Sequence, residues 1–121
     1  MTPRKLFALT VAFWALTPAT AIAQALCKPE IVISNPRFSD AMNLRRYWTA
    51  TARVDASSCA GSPGLFAIGF LRLSETAPDL EFTEPFIGHS GETKLRVEFW
   101  ADEAVARYWI AEVAPCVCRA R

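Results

Sequence analysis

The chain carries one histidine in 121 residues, five glycines, and a formal net charge of only +1. Each scarcity removes a class of function. One imidazole, His89, cannot build a histidine metal triad, and no acidic or cysteine cluster with metal-ligand spacing replaces it. The few glycines form no phosphate-cradling loop and no nucleophile elbow. A charge this small, with both signs mixed, provides no basic stripe for nucleic acid and no polybasic membrane module. Beyond the first residues no apolar run reaches transmembrane length. Internal repeats, low-complexity tracts and interdomain linkers are absent, and so is any long amphipathic helical pattern. No cofactor is expected.

What the sequence does have begins with a leader. In MTPRKLFALTVAFWALTPATAIAQALC, Arg4 and Lys5 form a positive start and residues 6–16 an uncharged apolar run. Ala21-Ile22-Ala23 is a small-x-small cleavage signal. Together these predict a secretory signal peptide over residues 1–23, cut before Gln24. A single domain is then expected over 24–121, with no stable membrane insertion after cleavage. Setting Arg4 and Lys5 aside from the 13 basic residues leaves 11 against 12 acids, so the mature chain is close to neutral. A domain of about 100 residues buries a modest fraction of its unfolded surface, and covalent staples would help it.

Four cysteines, Cys27, Cys59, Cys116 and Cys118, follow the leader. An even count in a small exported domain implies disulfides and an oxidising compartment, periplasmic or extracellular. Three connectivities are open.

The remainder reads as short strands separated by turns. Residues 30–34 (EIVIS) are a β-branched run ended by Asn35-Pro36. Residues 47–56 (YWTATARVDA) alternate, with Trp48, Ala50, Ala52, Val54 and Ala56 on one face. Residues 65–73 are apolar on both faces, as in a central strand, and Gly69 inside them marks a bulge or a close approach. Pro85 demotes residues 80–86 to an edge. Residues 93–101 alternate again, Leu95, Val97 and Phe99 inward and Lys94, Arg96 and Glu98 outward. Residues 104–113 form the last strand. Asp102-Glu103-Ala104 is read as one helical turn capped by Asp102, and a second helical turn is expected after Ser39. Six or seven strands at regular spacing predict a small antiparallel β-sandwich, with a small barrel as the alternative.

Strand parity then bears on the cysteines. If successive strands run up and down, two passes separate Cys27 from Cys59 and four separate Cys59 from Cys116. Even numbers return the chain to the same end, so all four sulfurs should gather at one pole. Cys116 and Cys118 either bridge separately to Cys27 and Cys59, each closing a long loop worth roughly 3–4 kcal/mol, or bond to each other in a tight, readily reduced ring.

Candidate chemistry is sparse. His89 and Ser90 share a turn, and Asp79, Glu81, Glu84, Asp102 and Glu103 are carboxylates near strand ends. These could serve a hydrolase, but they also fit a solvated edge. Aromatics come in adjacent pairs, Tyr47-Trp48, Phe99-Trp100 and Tyr108-Trp109, so one member of each pair must point outward. Tyr47, Trp100, Tyr108 and Arg53 are the candidate binding surface. The stretch DEAVARYW resembles the corner of immunoglobulin-like domains in its Asp102, Ala104 and Tyr108, which implies a sandwich of that general shape. The expected function is an exported, non-enzymatic binding module for a protein or carbohydrate. The alternatives are a thiol–disulfide protein using the terminal Cys-x-Cys, or a small secreted inhibitor of an exported hydrolase.

Overall fold

The computed structural model describes residues 25–120. The predicted leader and its cleavage site lie outside the described residues.

Six long strands form in chain order: β2 (Glu30–Phe38), β3 (Arg45–Asp55), β4 (Leu65–Ser74), β5 (Leu80–Ile87), β6 (Gly91–Trp100) and β7 (Glu103–Val113). Two short ones, β1 (Leu26–Cys27) and β8 (Cys116–Val117), pair with each other. The long strands make two three-stranded antiparallel sheets, ordered β2-β3-β6 and β5-β4-β7. The fold is a sandwich, and the barrel alternative does not apply. Pro85 lies on β5, an edge strand, where its missing N–H costs no ladder bond. The doubly apolar β4 is central.

The alternation of β3 explains the core. Trp48, Ala50, Ala52 and Val54 are buried, and so are Leu95, Val97 and Phe99 of β6. They meet Phe66, Ile68 and Phe70 of β4 across the inter-sheet space. Phe70 lies 4.8 Å from Trp48, 5.4 Å from Phe82 and 5.9 Å from Phe99, centroid to centroid. Each such ring contributes roughly 1.5–3 kcal/mol by leaving water, with an increment for edge-to-face geometry.

Three local expectations are corrected. Asn35-Pro36 does not end β2. The strand runs on to Phe38 through a bulge between Ser34 and Arg37, with Asn35 left-handed at φ 51°. β2 is an edge, so a proline there forfeits nothing, and asparagine tolerates that backbone. No helical turn follows Ser39. Met42 and Arg45 instead exchange N–H···O bonds of 2.8 and 3.0 Å around Asn43-Leu44, both left-handed, in the manner of a two-residue hairpin turn. Asp102 caps no helix. Its carboxylate accepts from Thr76 Oγ1 (2.8 Å) and Ser74 Oγ (3.2 Å), joining the turn after β6 to the turn after β4.

The cysteines do meet at one pole. Cys27 bonds Cys118 and Cys59 bonds Cys116. Backbone pairing sets Cys27 opposite Cys116 and Cys59 opposite Cys118, so the sulfurs join diagonally across those pairs. Because Cys116 and Cys118 take separate partners, the local ring needed for a terminal redox pair is not formed.

Candidate functional site

The outer face of the β2-β3-β6 sheet brings together three of the four candidate residues, Tyr47, Trp100 and Arg53. They alternate with the buried positions of β3 and β6, and the pleat turns them outward. Trp100 is 56% exposed. It stands opposite Arg45, whose guanidinium lies 5.0 Å above its ring. Arg45 also pairs with Glu98. Tyr47 is opposite Glu98, and the guanidinium of Arg96 stacks 3.8 Å above its ring. Each aromatic thus steadies a cation, and the ring in turn loses mobility. Arg53 lies further along the strand, opposite Glu92.

Tyr108 is not on this face. It turns inward from β7, packs against the core, and its ring sits 5.3 Å from that of Trp48. Its neighbour Trp109 faces the other side of the sheet, under the guanidinium of Arg107 at 5.0 Å.

At the end of the sandwich away from the disulfides, the β2–β3 turn adds an apolar tip to the face. Met42 and Leu44 are 72% and 75% exposed. The Ala101 N–H donates to the Leu44 carbonyl (2.9 Å), which fixes the turn beside Trp100. Leucine at φ 66° is an uncomfortable choice; the turn geometry favours Asn-Gly. No sequence pattern marked this tip, because residues 39–44 carry no periodicity. A hollow of about 620 Å³ opens lower on the same face, between Arg37, Thr49, Thr51, Lys94 and Arg96. Lys94 and Arg96 are legible as outward residues; Arg37 joins them only because the bulge restores register after Pro36.

The other chemistry-bearing residues are held in structural contacts or stand apart. Glu81 pairs with Arg107 at 2.8 Å. Glu103 is buried, accepts the Trp100 N–H at 2.6 Å, and lies 3.1 Å from Arg72 Nε. That Nε meets no hydrogen-bond geometry, so the contact is one of charge rather than of direction. The hydroxyls of Thr76 and Ser74 hold the Asp102 carboxyl below the usual carboxylate range. Ser57, by side chain and backbone, does the same for Asp55. His89 and Ser90 border a small hollow of about 300 Å³ at the disulfide pole, with Arg119. Among the described residues no cluster of histidine, cysteine, aspartate and glutamate could hold a metal ion. No helix among them is long and apolar enough to cross a membrane. Compared with protein-family models, curated proteins and solved structures, the chain matches none.

Proposed function

We propose that this chain is an exported, disulfide-stapled binding module without chemistry of its own. Its contact surface is the apolar tip and the adjoining outer face of the β2-β3-β6 sheet. The leader pattern and two long-range disulfides support export to the periplasm or beyond. The partner is a protein or carbohydrate of that compartment.

The observation that carries this reading is Leu44. A large apolar side chain is displayed to water on a left-handed backbone, where glycine would be the easier residue. Strain and exposure kept together at one point suggest selection for contact rather than for stability. Met42 and Trp100 extend the apolar area, and the Arg45 and Arg96 stacks give it a polar rim, the composition of a binding hot spot.

The test is capture of envelope components by the immobilised protein, with Trp100→Ala and Leu44→Gly as variants. Both should stay folded. Capture should fall about tenfold or more in each, as loss of a hot-spot residue implies. Undiminished capture by both variants refutes the assignment of the surface.

A further inference from the structure

The hollow on the sheet face holds three cations that lack carboxylate partners. Strand register sets them in rows. Arg37 stands opposite Thr49, and Thr49 opposite Arg96, so one row reads Arg-Thr-Arg across β2, β3 and β6. The next row reads Ser34-Thr51-Lys94. Neighbouring strands lie roughly 4.8 Å apart, so two guanidinium-bearing strands flank a short threonine at a spacing of roughly 10 Å. Long side chains around short ones leave a basin, lined between the cations by Thr49 and Thr51 with Ala50 and Leu95.

Charge is segregated here although the chain as a whole is nearly neutral. Elsewhere on the face the cations have company: Arg45 is paired with Glu98, and Arg53 stands opposite Glu92. Among the described residues no carboxylate comes within ion-pairing distance of Arg37, Lys94 or Arg96. None lines the hollow, whose polar side chains are Asn35, two threonines and these three cations. Arg96 already sits 3.8 Å over the Tyr47 ring, so less of its freedom is lost when it engages a ligand.

Building on the reading of this face as the contact surface, we infer that the hollow is an oxyanion subsite for the sulfate or phosphate ester groups of an anionic polysaccharide. Two guanidinium forks can each take two oxygens of such a group, while Lys94 adds an undirected charge and Thr49 and Thr51 add hydroxyl donors. The Thr49 and Thr51 hydroxyls suit sugar hydroxyls. An acidic peptide would offer planar carboxylates to the same forks but few hydroxyls to Thr49 and Thr51, and poly-glutamate is the probe that separates the two.

The experiment measures binding of the folded protein to dextran sulfate, uncharged dextran, poly-glutamate and inorganic sulfate, at low and at high salt. Dextran sulfate should bind, weaken as salt screens it, and be displaced by inorganic sulfate. Dextran should not bind, and poly-glutamate should bind at least about tenfold more weakly. Arg37→Gln with Arg96→Gln should lower dextran sulfate affinity about tenfold or more, as loss of two charge-assisted forks implies. Both side chains lie on an exposed face, and an unchanged melting temperature verifies the fold. Arg119→Gln, at the disulfide pole, should change nothing. The inference is overturned by absent dextran sulfate binding, by a double variant that binds like the wild type, by an equal loss in Arg119→Gln, by equal binding of poly-glutamate, or by uptake of inorganic sulfate alone. Envelope capture that depends on Leu44 and Trp100 alongside any of these results leaves the wider reading standing. Loss of that dependence removes both.

Discussion

The indole of Trp109 occupies the space that Gly69 leaves by having no side chain. The two stand opposite each other on β7 and β4, and a methyl on Gly69 would fall inside the contact distance of three ring atoms. The close approach foreseen at this glycine is therefore a ring lying on a bare backbone, with Arg107 above it. Gly69→Ala should force the ring away and destabilise by about 1–3 kcal/mol, the usual range for overpacking. Chemical denaturation checks this. In a Trp109→Ala background the same substitution should cost much less, since the two residues are coupled.

Leu44 makes the opposite prediction. Leu44→Gly relieves a left-handed backbone and should raise stability by up to about 1 kcal/mol. The midpoint of a denaturant titration reports it. A gain in stability joined to a loss of capture would identify the leucine as a residue retained for contact.

Removing the two disulfides should not cost the same. Their sequence separations are 91 and 57 residues, so chain entropy alone ranks Cys27–Cys118 slightly ahead, both at about 4–5 kcal/mol. Cys59, however, is 1% exposed. Cys59→Ala with Cys116→Ala also opens space beneath the loop after β3, and should be the more damaging pair. Comparing the two double variants in guanidinium tests the order.

Several of these features could be read in the sequence and several could not, for a physical reason. Alternation is local, so the inward positions of β3 and β6 were visible residue by residue. Parity needs only a strand count, and it placed Cys27, Cys59, Cys116 and Cys118 at one end. Which cysteine takes which partner depends on the register of β1 against β8, which no local pattern encodes. Asn35-Pro36 carries strong turn chemistry, yet an edge strand can absorb it as a bulge. The Arg37-Thr49-Arg96 row joins three strands far apart in the chain, and only register brings them together. Alternation alone does not choose between Tyr108 and Trp109 as the outward ring, because that choice rests on the bulges that shift β7 against β4.

The Arg72–Glu103 pair should show the asymmetry of buried charge. Glu103 is 6% exposed and also receives the Trp100 N–H. Glu103→Ala removes the charge partner of Arg72, whose Nη2 keeps only the Pro78 carbonyl at 2.9 Å, and leaves the Trp100 N–H without its acceptor; it should destabilise by about 2–3 kcal/mol. Replacing both, as Arg72→Met with Glu103→Leu, should recover much of that loss. Thermal or chemical unfolding of the single and double variants decides it.

Asp102 gives a pH signature. Hydrogen bonds from Thr76 and Ser74 lower its pKa in the folded chain. A depressed carboxyl stabilises the fold above its unfolded pKa of about 4, and that contribution is lost as pH falls through the lower, folded value. Asp102→Asn should therefore melt below the wild type at neutral pH, and the two curves should converge in acid. Parallel curves down to the acid limit would show that the turn–turn clamp does not depend on the carboxylate's charge.

The diagonal cross-linking of Cys27 to Cys118 also decides how the molecule bears load. If the chain is pulled by the segments outside that bridge, tension passes from sulfur to sulfur and bypasses every strand ladder between them. For that direction of pull the span between them, separated by 91 positions, is mechanically shielded. A pull between one end and the opposite tip has no such bypass: its load runs along β2, β3 and β6 between the tip and the disulfide pole.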